Sequence, residues 1–267
     1  MPAPMQDLLD DLVAERAVLI AILSGVPEER WDMPSPAEGW TLRDCAAHLA
    51  DFDDRAATVA ATGSFDVRDG RQPANPPADR RGLQDGQLWA REHTTGEVLD
   101  WYRESGERLV TALMPLDPKH RLPWAGPPMS ARSFTTARLM EHWSHGLDIH
   151  DAAGVTPIDT DRLRHIAHIG YITRDFSYSN RGLEPPLTQL RLELAAPSGS
   201  TWSWGPENAE DRISGPAGDF CRVVTQRIHV LDTSLQAEGP HAAEYLELAQ
   251  AFAGPTGSGR QPKGATA

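Results

Sequence analysis

Three side chains of the types that bind divalent cations stand at ligand spacing in two separate segments. In Glu141-His142-Trp143-Ser144-His145-Gly146-Leu147-Asp148, Glu141 and His145 are four positions apart. On a helix that spacing puts a carboxylate oxygen and an imidazole nitrogen side by side on one face. His48, in Trp40-Thr41-Leu42-Arg43-Asp44-Cys45-Ala46-Ala47-His48-Leu49, can complete a set of two imidazoles and one carboxylate. Three protein ligands leave coordination positions open, the arrangement of a catalytic rather than a structural metal.

Each of these residues also has an ordinary reading. His48 can be a helix histidine hydrogen-bonded to a neighbour, and Glu141 with His145 can be a surface pair. Asp148 shares the face of His145 three positions on. It either accepts a hydrogen bond from the imidazole and orients it, as metal-bound histidines require, or caps and solvates the helix end. Cys45 lies one turn before His48, where a buried thiol is the simpler role than a ligand. His142 and His150 fall about 100° off the Glu141–His145 line and should point elsewhere. Asp51, Asp53 and Asp54 read as a solvated face. His165, His168 and His229 lack carboxylates at useful spacing.

The elements that position these groups follow from periodicity and caps. Leu8, Leu9, Leu12, Val13, Leu19, Ile20 and Leu23 predict an amphipathic helix over 6–24, ended by Pro27 and Pro34-Ser35-Pro36. Thr41 with Asp44 forms a capping box opening a helix to about Ala61. Residues 62–86, polar and rich in Gly, Pro, Arg and Asp, read as a long loop. Thr94-Thr95-Gly96-Glu97 opens a further helix that Pro115 and Pro118 close. Ser133 is the candidate cap of the helix bearing Glu141 and His145, and Gly154 ends it. Asp159-Thr160-Asp161 starts another, running to about Tyr178. These segments predict a helical bundle.

After Pro185-Pro186 the texture changes. Leu187–Ala195, 201–204 and 211–214 alternate as short strands, 216–227 and 242–252 read as helices, and Gly254 onward reads as a disordered tail. The expected organisation is a helical domain over 1–184, a small α+β domain over 185–254 and a tail over 255–267.

Composition narrows the function classes. The chain has 267 residues, 40% of them hydrophobic, enough to bury a core. A net charge of −13 argues against nucleic acid as a partner. No apolar run approaches a membrane span, and the first residues lack the basic and apolar regions of a secretory signal. Two cysteines, Cys45 and Cys221, fit a reducing cytoplasm rather than a disulfide framework. The sequence has no phosphate-binding glycine loop, no GxSxG and no paired CxxC.

The segment Gly39-Trp40-Thr41-Leu42-Arg43-Asp44 with Ala47-His48-Leu49 resembles the N-terminal signature of the mycothiol-dependent maleylpyruvate isomerase family, a group of DinB-like metal-binding four-helix bundles. Glu141-x-x-x-His145-x-x-Asp148 resembles that family's second signature. Ile213-Ser214-Gly215-Pro216-Ala217-Gly218-Asp219-Phe220 through Gln226-Arg227 is similar to its C-terminal domain, which is like sterol carrier proteins. The resemblance covers most of residues 5–253. It implies a mostly α protein, a DinB-like bundle followed by a small α+β domain. It implies a divalent metal, zinc first with Fe2+ or Ni2+ as alternatives, held by His48, Glu141 and His145. It also implies mycothiol or another low-molecular-weight thiol, and a C-terminal arginine near the active site: Arg227 first, Arg222 second. Gln226 departs from the glycine that often precedes that arginine.

The leading functional expectation is a metal-dependent isomerase or thiol S-transferase acting on a small electrophilic or carbonyl substrate, with Asp148 and Arg227 in catalytic roles. A metal would lower the thiol's pKa to give a thiolate at neutral pH. Arg227 would clamp a substrate carboxylate. Competing readings are a metal-water hydrolase, a non-catalytic metal- or ligand-binding protein, and Fe(II) oxygen chemistry on the same triad. The oligomeric state stays open, a homodimer included.

Overall fold

The computed structural model describes residues 5–65, 82–124, 126–257 and 259–264. The chain divides into two compact units, Met1–Pro157 and Ile158–Ala267. The boundary expected after residue 184 thus falls inside the second unit.

The first unit is built on four long helices: α1 (Met5–Gly25), α2 (Leu42–Thr62), α4 (Thr95–Leu113) and α5 (Ala131–Ala153), with a short α3 (Asp85–Arg91) beside α2. The capping boxes are formed as read. Thr41 accepts from the Asp44 amide while the Asp44 carboxylate takes the Thr41 amide at 2.8 Å, and Thr94 does the same with Glu97. Gly63 and Gly154 close α2 and α5 in the left-handed conformation. The cap of α5 is Ser130 rather than Ser133: its hydroxyl accepts from the Ser133 amide at 3.1 Å, so the helix begins a turn-fraction earlier. The preceding stretch, read as a loop, is a hairpin of β1 (Arg121–Trp124) and β2 (Gly126–Ser130). Of the expected loop over 62–86, residues 66–81 lie outside the described residues, and its end opens α3. Leu19, Leu23, Trp31, Leu42, Leu49, Trp101, Tyr102 and Ile149 fill the core.

Charge is buried in that core too. Asp53 on α2, fully buried, accepts from Arg138 on α5 at 2.9 and 3.1 Å and pairs with Arg16 on α1. His142 Nε2 lies 3.0 Å from the Asp53 carboxylate, and its Nδ1 lies 3.0 Å from the Tyr102 hydroxyl on α4. Burial pushes the Asp53 carboxyl up, but His142, Arg16 and Arg138 outweigh it and hold it far below the usual carboxylate range. Burial also brings His142 down to about 4, against the pull of Asp53, so its ring is neutral. One network therefore ties all four helices. This corrects the reading of Asp51, Asp53 and Asp54 as a solvated face: Asp51 is buried against Arg55, and Asp54 accepts from Trp101 Nε1 at 2.6 Å.

The second unit has α6 (Leu163–Ile172), α7 (Arg174–Ser179), a four-stranded sheet, α8 (Ala217–Val224) and α9 (Ala242–Leu248). The strands β3 (Leu190–Ala195), β4 (Thr201–Trp204), β5 (Asp211–Pro216) and β6 (Gln236–Glu238) lie in the order β4-β3-β5-β6, with β3 parallel to β5. The single helix expected up to Tyr178 is interrupted at Thr173, which leaves the helical conformation with φ −94° and ψ 13°. The helix expected over 216–227 stops at Val224, and Gln226 has a φ of 58°. Among the described residues no helix is long and apolar enough to cross a membrane.

Candidate metal centre

The first donor is placed by a turn. Gly39, with a φ of 77°, lets the chain double back so that Trp40 accepts from the Ser35 amide and Thr41 can start α2. Two turns into that helix His48 points toward α5. There Glu141 and His145 stand one turn apart, 3.6 Å between Glu141 Oε2 and His145 Nε2. One donor atom from each of His48, Glu141 and His145 lies within 4.8 Å of the other two. Donors bound tetrahedrally at about 2.0–2.2 Å sit roughly 3.3–3.6 Å apart, so the side chains need only small rotations to close on a cation.

The other ring nitrogens are occupied in the manner of metal-bound histidines. His48 Nδ1 lies 2.9 Å from Gln84 Oε1, and His145 Nδ1 lies 3.3 Å from Asp148 Oδ2. In both rings this leaves Nε2 as the donor, its basicity raised by the acceptor behind it. Burial and the neighbouring His145 hold the His48 pKa well below its usual value, so the ring is the neutral form that a metal requires. Asp148 is buried, whereas Glu141 and His145 keep 24% and 14% of their side chains exposed, so the donor set is open on one side. The donor types and openness fit a divalent metal with exchangeable positions.

A second grouping shares His145: Cys45, His145 and Asp148 also offer atoms within 4.8 Å of one another. Cys45 is fully buried and its thiol donates to the Ser35 hydroxyl at 3.4 Å, the structural role expected of it. His142 turns into the Asp53 network, and His150 Nδ1 lies 3.1 Å from the Val155 carbonyl; neither joins the centre.

The family model described as mycothiol maleylpyruvate isomerase N-terminal domain matches residues 12–150, more than half of the chain. The chain belongs to this family. Two uncharacterized proteins of Mycobacterium tuberculosis, from strains H37Rv and CDC 1551 / Oshkosh, are each 42% identical to it over 252 residues, covering 94% of this chain and 96% of theirs. A crystal structure of the mycothiol-dependent maleylpyruvate isomerase matches with a TM-score of 0.58 at 20% identity, covering 89% of this chain and 97% of that one. A histidine-to-alanine mutant of that enzyme matches at 0.56 and 19%, with the same coverage. At such identity the likeness shows the fold, and the family member described here has that DinB-like architecture.

Within this family member the two expected arginines belong to the second unit. Arg222 is engaged bidentately by Asp159, at 2.7 and 2.8 Å. Arg227 follows the left-handed Gln226 and donates to the Thr225 carbonyl at 2.9 Å. The residue that sequence reading passed over is Gln84. It is the N-cap of α3, with its amide donating to Gln87 Oε1 at 2.8 Å, and that cap points its side chain at His48. Its one sequence signal is Gln84-x-x-Gln87, a polar pair at capping-box spacing.

Proposed function

We propose that this chain is a metal-dependent enzyme that joins a low-molecular-weight thiol, mycothiol in the first instance, to a small electrophilic or carbonyl substrate, as an isomerase or thiol S-transferase. The observation that carries the reading is the pair of oriented imidazoles. Each of His48 and His145 has its Nδ1 set against an acceptor, which leaves Nε2 as the donor; His145 Nε2 stands beside Glu141, and one donor atom of each residue lies within 4.8 Å of the others. His48, Glu141 and His145 would hold the cation; zinc suits two nitrogens and one oxygen. When bound there, the cation supplies Lewis acidity that makes a thiolate available at neutral pH. The chain's own residues do the rest. Gln84 and Asp148 fix the two rings, Asp148 doing so from a site with 1% exposure. Trp40 stacks on His145 with ring centroids 5.4 Å apart and screens it from water. Arg227 as the group that engages an anionic substrate rests on the resemblance.

The test is metal analysis of protein purified without added metal, followed by turnover with and without mycothiol. One equivalent of zinc, lost in both His48→Ala and His145→Ala, with thiol-dependent turnover that falls in Arg227→Ala while metal is retained, supports the reading. Metal without thiol-dependent turnover favours a non-catalytic binder or a hydrolase. Iron as the native metal turns it to oxygen chemistry.

A further inference from the structure

Aromatic rings pack beside the donor cluster. Trp40 lies 4.9 Å from the His48 ring and stacks on His145. Phe52, one turn after His48 on α2, lies 4.6 Å from the same imidazole. Beyond it Trp124, at the end of β1, meets Phe52 edge-on at 6.2 Å, and Phe65 meets Trp124 edge-on at 5.2 Å. Phe52, Trp124 and Phe65 thus follow one another away from His48, with Trp40 set against both imidazoles and Trp124 also packed on the buried Phe134. None of the first four is fully buried: Trp40, Phe52 and Trp124 are half-buried and Phe65 is 45% exposed. Large rings left in contact with water beside a polar centre are costly unless something covers them.

Charge tells what that covering is. Among the described residues, the guanidiniums over Phe52 are those of Arg55 and Arg138, 5.5 and 6.0 Å from its centroid. Each is already set on a carboxylate, Arg55 on Asp51 at 2.8 Å and Arg138 on Asp53 at 2.9 Å. What the described residues of this wall offer a ligand is therefore π surface rather than anion contacts. Aromatic faces and edges are complementary to a flat, conjugated body at centroid distances of about 4.5–7 Å, the spacing these rings already keep with one another.

We propose that Trp40, Phe52, Trp124 and Phe65 form a binding wall for a planar conjugated or aryl group, carried by the molecule whose polar head reaches His48, Glu141 and His145. It rests on the reading of those three as a metal-binding set and adds to it the chemical class of the body that the site accepts.

Hydroxamic acids test it, since one metal-binding head can carry different bodies. The full-length protein loaded with zinc is titrated by calorimetry with acetohydroxamic, cyclohexanecarbohydroxamic and benzohydroxamic acids, and zinc is quantified in every sample. Benzohydroxamate should bind at least about tenfold more tightly than acetohydroxamate, the size expected of one good aromatic contact plus its buried area. The cyclohexyl compound should fall between them. Trp124→Ala should erase the aryl advantage and leave acetohydroxamate and zinc content unchanged, because Trp124 touches neither imidazole. Phe65→Ala, at a position 45% exposed, should reduce the advantage in the same direction. Equal affinity for all three acids, or an unchanged aryl preference in both variants, overturns the wall while leaving the metal reading intact. Equal affinity for the cyclohexyl and phenyl compounds shows an apolar patch without preference for planarity and overturns the stated class. Binding of none of them, or absence of zinc, overturns the donor set itself and the wall with it.

Discussion

Replacing Gly106 by alanine pits two effects of opposite sign against each other. Gly106 lies inside α4, where alanine normally stabilises by about 1 kcal/mol because it loses less backbone freedom on folding. Here the added Cβ would stand 1.9 Å from Arg16 Cζ and Nη2 and 2.0 Å from Nε. The guanidinium cannot step aside cheaply. It pairs with Asp53 and with the Tyr102 carbonyl, lies 3.1 Å from His142 Nε2, and covers the Tyr102 ring at 4.3 Å. Moving it strips one of two cations from a fully buried carboxylate, and breaking such a pair costs about 3–5 kcal/mol. Arg138 stays on Asp53 and holds the loss toward the lower end. The net expectation is a destabilisation of about 2–4 kcal/mol, once the helix gain of about 1 kcal/mol is subtracted. Urea unfolding followed by tryptophan fluorescence measures it, with the transition of the first unit reported by the buried Trp31 and Trp101. In an Arg16→Met background, where no guanidinium stands in the way, Gly106→Ala should become neutral or stabilising by up to about 1 kcal/mol. A Gly106→Ala protein as stable as the parent in the presence of Arg16 would refute the argument that this glycine exists to admit the arginine.

Three further outcomes follow from the same contacts. Gln84→Leu should weaken zinc binding about 10- to 100-fold, since it removes the acceptor behind His48 Nδ1, with a loss of at most about 1 kcal/mol in metal-free stability from the α3 cap that Gln84 also forms; competition with a chromophoric chelator reads the metal affinity directly. Asp148→Asn should keep most of the metal and lose thiol-dependent turnover, and complete loss of zinc would make Asp148 a ligand instead. In the second unit burial pushes the Asp211 carboxyl up, but the Thr188 hydroxyl, the His241 amide and Arg174 outweigh it and hold its pKa below the ordinary value. A carboxyl depressed in the folded state contributes stability that is present above its unfolded pKa of about 4 and is lost as pH falls below it. Asp211→Asn should therefore flatten the acid limb of stability below about pH 4, seen as a smaller drop in unfolding midpoint between pH 5 and pH 3.

What the sequence showed of this molecule was what short-range spacing can carry. The two capping boxes, the closing Gly154 and the Glu141–His145 pair are all defined within four residues, and each is found where its pattern put it. The hairpin of β1 and β2 was missed because its prolines and glycine read as loop, although Trp124 there becomes part of the aromatic lining. The helix break at Thr173 was missed because periodicity continues through it, and the interruption is a single residue with φ −94° and ψ 13°.

The acidic residues of α2 show why the buried charges were not legible. Asp51 and Asp53 occur in a polar run with Asp54 and Arg55, which on a helix ordinarily faces water, and Asp44 stands at the exposed-looking start of the helix as a capping partner. All three are fully buried. Asp44 is held by Arg91, 47 residues away, and Asp53 by Arg16 and Arg138, 37 and 85 residues away. A buried charge is tolerable only with such a partner, and separations of that size leave no mark in local spacing. The same pairing bears on the site. His142 is fastened to Asp53 and follows Glu141 directly, and Arg138 is fastened to Asp53 one turn before it. The α5 turn that presents Glu141 is therefore clamped from below by α2, the helix that carries His48. Two donors from distant segments keep a common geometry because the charges beneath them are shared. That gives buried polar groups a role in specifying one arrangement, beyond whatever net stability they add.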